Sequence, residues 1–315
     1  LQFQPLASAV ESTFWHALSQ NKMDLYKLDD SPRDVRAYVV AASKDESAPA
    51  RLCIGAGAFD GSALPPFSIP VPGTLKYTNT VEAVRKLDKG DFLNTVADQI
   101  WADIVSGEAV ASPNKLFRFL LLAFADLKKY NFHFWFAFPA LLPAESFRVA
   151  STRRISDAYS AEEVDSLYQN YDTFRTSSDA SAPCDTGVFL IRRTADPPAL
   201  VVGKLAEWDS FWSPSDKITI GFIDPCGLLT HPGWPLRNIL LLLKHRWNVQ
   251  NATVLSFREV PGKRDMAHSI VLEGSNTHLP TSPESCPKSI GWEKDSTGKL
   301  GPRAADLAPL MDPTR

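Results

Sequence analysis

The sequence predicts a mixed α/β fold: two α/β subdomains with mixed β-sheets flanked by helices, followed by an extended tail. Three observations predict it. The chain has 315 residues, more than one small core needs, so about two domains or subdomains are expected. Strand-like and helix-like periods alternate along it, the pattern of helices laid on mixed sheets. Composition also shifts across residues 139–143, which places the subdomains at 1–145 and 146–297 and the tail at 298–315.

Residues 10–20 read as a first helix, with Val10, Phe14, Ala17 and Leu18 on one face and Trp15 and His16 beside it. Asp30-Ser31-Pro32 breaks the chain. Residues 35–42 and 50–54 read as strands. Residues 61–73 hold four prolines and two glycines, so no regular structure is expected there. Thr80 can cap a short helix to Leu87. Asp88 or Asp91 can open a longer one to Val105, with Phe92, Val96, Ile100 and Ile104 recurring every four residues and Gly107 suited to its end. The apolar run 117–124 reads as a buried strand. The aromatic-rich 131–138 is its hairpin partner across the polar turn 126–130.

In the second half, Ser160-Ala161-Glu162-Glu163 is a capping box that opens a helix to about Phe174. A Ser/Asp/Ala-rich loop follows at 176–186. Strands are expected at 187–192, 200–205, 217–223, 254–258 and 269–272. Pro235 suits the first position of a helix whose last turn carries Lys244, His245 and Arg246, where the helix dipole favours cations. Residues 274–288 read as a Ser/Pro-rich loop.

A hydrophobic share of 44% and a charged share of 22% exclude bulk disorder. A formal net charge of −3 excludes a strong basic field for nucleic acid or anionic membrane. The short basic clusters Lys128-Lys129, Arg153-Arg154 and Arg192-Arg193 read as solvated faces. Cys53, Cys184, Cys226 and Cys286 form no C-x-x-C pair. That spacing fits a reducing, cytoplasmic compartment better than a disulfide scaffold. The visible start shows no signal peptide, and the apolar stretch 134–142 is too short to span a bilayer.

Gly55-Ala56-Gly57 and Gly61 suggest a dinucleotide loop, but the spacing is one residue too long and prolines follow instead of a helix. No G-x-x-x-x-G-K-[ST] phosphate loop occurs. Cys226, in a strand-to-loop turn near His231, is the best candidate nucleophile; its bland reading is a small packing residue. The Pro-Cys pairs at Cys184 and Cys226 lack the second Cys and the H-x-E of zinc deaminases, so no metal site is expected. His133, His245 and His268 read as structural. The aromatic cluster from Tyr130 to Phe138 could stack single-stranded bases, but core packing suits it better.

Several phrases, taken in order, are more specific. They are Phe14-Trp15-His16, Tyr77-Thr78-Asn79-Thr80, Phe124-Ala125-Asp126-Leu127-Lys128-Lys129-Tyr130 with Trp135, Asp224-Pro225-Cys226, Pro232-Gly233-Trp234-Pro235-Leu236-Arg237-Asn238, Gly291-Trp292-Glu293 and Met311-Asp312-Pro313. Together they resemble the N-terminal domain of the autophagy-related protein 7 family, E1-like activating enzymes of ubiquitin-like modifiers, and its plant members above all. The resemblance covers essentially the whole chain.

The resemblance implies a domain that is not itself an enzyme. It recruits the autophagy E2 enzymes, autophagy-related proteins 3 and 10, and grips a flexible acidic segment of one of them. ATP, zinc, the thioester cysteine and contact with the ubiquitin-like modifiers belong to a C-terminal half beyond this chain, so no cofactor is expected here. The family's E2 site maps onto Lys299, Leu300, Pro302 and Arg303, with Lys128 and Lys129 as further candidates. Apart from the resemblance, residues 299–303 read as a plain linker. The rival is a self-contained cytosolic hydrolase or deaminase-like enzyme using Cys226 and His231.

Overall fold

In a computed structural model, residues 1–40, 50–66, 68–142, 147–176, 186–260, 265–275, 285–294 and 297–311 are described. The expected boundary at residue 145, Cys184 and most of the two expected loops lie outside these residues.

The first half opens with strand β1 (Ala7–Val10) and helix α1 (Ser12–Asn21), followed by β2 (Arg33–Val40), β3 (Arg51–Ile54) and β4 (Ser68–Thr78). Helices α2 (Val81–Lys86), α3 (Lys89–Ser106) and α4 (Glu108–Ala111) lead to β5 (Phe119–Asp126) and β6 (Asn131–Leu141). The expected helix at 10–20 therefore starts later, because Val10 pairs with Ile54 in β1. Thr80 Oγ1 accepts from the Ala83 N–H, and the Asp88 carboxylate accepts from the Gly90 and Asp91 N–H groups, so both caps form as expected. Gly107, at φ 92°, ends α3 in the left-handed region.

Residues 61–73 differ from expectation, since β4 begins at Ser68. Pro70 and Pro72 stand opposite Tyr38 and Arg36 of β2. Their spacing of two puts both missing N–H groups on one edge of the strand. Strand β5 joins β4 only from Gly73 onward, so neither proline interrupts that ladder.

The second half contains β7 (Arg148–Arg154), α5 (Ile155–Ala158), α6 (Ala161–Thr176), β8 (Val188–Ala195), β9 (Pro198–Lys204), α7 (Trp208–Phe211), β10 (Thr219–Ile223), α8 (Leu236–Trp247), β11 (Asn251–Phe257) and β12 (Ile270–Ser275). Strand β7 was not anticipated; exposed arginines hide its period. The Ser160–Glu163 capping box is reciprocal, each N–H reaching the other's side chain. The chain then returns to the first sheet as β13 (Ser289–Trp292) and β14 (Arg303–Asp306), with α9 (Ala308–Met311) behind them.

The first sheet has the order β1-β3-β2-β4-β5-β6-β13, with β14 also on β6; the second has the order β7-β12-β11-β10-β8-β9. Each contains a parallel pair joined through helices: β4 and β5 across α2–α4, and β10 and β11 across α8. Helices α3 and α8 form the layer between the sheets. Ile100, Trp101 and Ile104 of α3 share one core with Ile239 and Leu242 of α8 and Phe222 and Val254 of the second sheet. On the far face of the first sheet, Phe14, Trp15 and Leu18 of α1 are buried against Phe132, Phe134 and Phe136. Helix α6 covers the far face of the second sheet through Leu167 and Tyr171. No described helix is long and apolar enough to cross a membrane.

Candidate partner-binding site

Side chains alternate along β6. Phe132, Phe134, Phe136 and Phe138 face α1, so Trp135 takes the opposite face and is only half-buried. Beside it begins α3. The Asp88 carboxylate holds the first N–H groups of that helix at 2.8 and 3.1 Å, which fixes where Lys89 stands. The Lys89 ammonium lies 5.0 Å from the centre of the Trp135 ring.

Strand β13 supplies the next wall. Its register with β6 slips between Ile290 and Trp292. Gly291 sits in the bulge at φ 150°, where a Cβ would strike the Phe138 carbonyl. Residues 300–302 close the outer side. The result is an open groove of about 730 Å³ lined by Leu93, Trp135, Trp292, Leu300 and Pro302; among the described residues its charged lining groups are Lys89 and Lys288. Apolar and aromatic side chains together with two ammonium groups suit a short amphipathic chain with acidic side chains.

Residues 1–311 match the family model described as ubiquitin-like modifier-activating enzyme ATG7 N-terminus. The chain belongs to this family. It is 41% identical over 322 residues to the human ubiquitin-like modifier-activating enzyme ATG7, and 35% identical over 339 residues to that of Botryotinia fuckeliana. All of the chain is covered in both matches, but only 45% and 44% of those proteins; the chain spans about half the length of the curated relatives it matches. Among solved structures it resembles the Kluyveromyces marxianus Atg7NTD, at TM-score 0.70 and 20% identity over 98% of this chain and 99% of the other. It also resembles the same domain in an Atg7NTD–Atg10 complex, at TM-score 0.66 and 20% identity over 98% of each chain. These likenesses support the mixed α/β fold.

The site residues expected from the sequence separate. Leu300, 64% exposed, and Pro302 line the groove. Lys299 is exposed beside them but is not part of the lining. Arg303 turns to the opposite face of β14, where its guanidinium stacks 5.3 Å from the Phe134 ring and pairs with Glu293. Lys128 and Lys129 sit in the β5–β6 turn, seven and six positions before Trp135, and neither is part of the groove lining. Lys89, Leu93, Trp135, Lys288 and Trp292 were missed as groove residues. The phrase Gly291-Trp292-Glu293 was the available signal for Trp292.

Cys226 and His231 do not form a nucleophile–base pair. The Cys226 thiol donates to the main-chain oxygen of His231 at 3.3 Å, while the imidazole nitrogens meet Thr230 Oγ1 and Gln2 Oε1 at 2.5 and 2.7 Å. Burial, and then the Asp224 carboxylate, push the thiol up to about 11, the reverse of what a nucleophile needs. A second cavity, about 120 Å³, lies on the second sheet. Its cations are already paired: Arg153 and Lys217 with Glu273, and Arg193 with Glu163.

Proposed function

We propose that this chain is a non-catalytic docking module of an E1-type activating enzyme of autophagy, and that it recruits cytoplasmic E2 enzymes. The observation that supports this most directly is the groove: Trp135, Trp292, Leu300 and Pro302 between Lys89 and Lys288. Family membership supports the pathway. The complex of a structural neighbour with Atg10 supports an E2 as partner.

In this reading the flexible acidic segment of autophagy-related protein 3 orders as it enters the groove. Autophagy-related protein 10 docks on the same domain. The mechanism is proximity. An E2 held here is presented at raised effective concentration to the modifier thioester carried elsewhere in the parent enzyme. The parent uses ATP and zinc in its other half, where the ubiquitin-like modifiers also bind. This fragment contributes affinity and orientation, not bond making.

The test is a pull-down of purified autophagy-related proteins 3 and 10 with residues 1–315. Capture of either supports recruitment; capture of neither overturns it.

A further inference from the structure

We infer that Arg303 is a positioning residue for the groove: it anchors the wall residues 300–302, which directly precede it. The inference rests on the groove being the E2-segment site.

Glu293 and Arg303 stand ten positions apart in the chain, on either side of residues 294–302. The Arg303 guanidinium donates to both Glu293 carboxylate oxygens, at 3.1 and 3.2 Å. The same group donates to Ser8 Oγ at 2.6 Å and to the Ser8 carbonyl at 3.3 Å. Ser8 returns two bonds to Glu293, from its N–H at 2.9 Å and its hydroxyl at 2.5 Å. The Glu293 N–H is itself fixed on the Phe136 carbonyl at 2.8 Å. Glu293 of the chain before the wall and Arg303 directly after residues 300–302 therefore converge with Ser8 on one three-residue cluster. That cluster joins β1, at one edge of the first sheet, to β14 at the other.

Arg303 does not line the groove and so is not placed to touch a ligand there. Neighbouring residues of a strand point to opposite faces, and its guanidinium lies over Phe134 on the α1 side. Leu300 and Pro302 line the groove on the other side. Leu300 is 64% exposed. The clasp fixes residues 300–302 where they join β14, which lowers the ordering cost when a ligand enters.

The experiment uses residues 1–315 as they stand with Arg303→Ala, Arg303→Lys and the milder Glu293→Gln, the last serving if Arg303→Ala does not fold. Hydrogen exchange is read without ligand, and calorimetry with a synthetic peptide of the acidic E2 segment. Arg303→Ala, or Glu293→Gln in its place, is expected to speed exchange across 299–306 at least tenfold while leaving α6 unchanged. It is also expected to raise Kd about tenfold at a stoichiometry near one, with Arg303→Lys within threefold of the unmutated chain. Unchanged exchange, unchanged Kd, or a fall in stoichiometry at constant Kd overturns the clasp; the last outcome means only a loss of folded protein. If the unmutated chain binds no peptide, the proposed function fails, and exchange alone then decides the clasp: lost protection upholds it and unchanged protection overturns it.

Discussion

The Lys89 ammonium stands 5.0 Å from the centre of the Trp135 ring, tying the first residue of α3 to the middle of β6. This pair brings a cation and an aromatic face together in the groove lining, where a carboxylate of the proposed ligand segment would meet both. Lys89→Ala is expected to weaken binding of the acidic segment three- to tenfold and to flatten its dependence on salt. Titrations at two ionic strengths check this; an unchanged salt slope removes Lys89 from the recognition.

Pro302→Asp puts a carboxylate on the groove's outer wall, near where an acidic ligand would pass. Affinity should fall at least tenfold, about 1.4 kcal/mol, with no change in thermal midpoint, because the residue is exposed. Calorimetry on the variant gives the answer.

Asp88 caps α3 through two N–H groups. Asp88→Ala should cost about 1 kcal/mol of stability, read as a shifted denaturant midpoint. It should also weaken the E2 segment, because Lys89 and Gly90 both line the groove. A stability loss with intact affinity would mean that the helix start does not position the site.

Asp224 and Arg258 form an ion pair, at 2.9 Å, with both side chains fully buried. Asp224 also accepts from the N–H groups of Cys226 and Gly233, and Arg258 donates to the carbonyls of Leu228 and His231. The pair therefore folds the turn that leads into α8. Asp224→Ala leaves a buried guanidinium uncompensated and should cost about 3–5 kcal/mol, measured by urea unfolding.

The Cys226 thiol is raised from its usual 9.0 to about 11 by burial and the Asp224 carboxylate. Its protonated form is favoured in the folded state. The stability this gives is full below pH 9, where the unfolded thiol is also protonated, and is lost as pH climbs through 11. Native alkylation of Cys226 at pH 8 should be far slower than in urea, as mass spectrometry of the labelled peptides would report. Fast native labelling would revive the rival enzyme reading.

The sequence announced the helices with local start and stop signals, α2, α3, α6 and α8, because those signals act within a turn. Thr80, Asp88, Gly107 and Ser160 each act within one turn of their own position, and each does so in the structure. Strand β4 was hidden because the fitness of Pro70 and Pro72 depends on which edge has a neighbour, a property of β2 and β5 rather than of residues 68–78. The groove was half legible. Leu300 and Pro302 came from the family resemblance, but Lys89, Trp135 and Trp292 meet them only through the packing of α3, β6 and β13. Arg303, which the resemblance maps into the same site, lies over Phe134 and outside the groove lining; strand alternation could not be applied to a segment that reads as an extended tail.

The return of β13 and β14 to the first sheet has a consequence for how the chain is made. Strand β6 gains those neighbours only after the whole second sheet, 148–275, has been translated. During synthesis the second sheet can therefore fold while the aromatic edge of β6 is still bare, and for that interval the nascent chain offers an open template for pairing with another polypeptide. Polypeptides stopped short of residue 289 would keep that edge permanently, and would place the heaviest demand on chaperones.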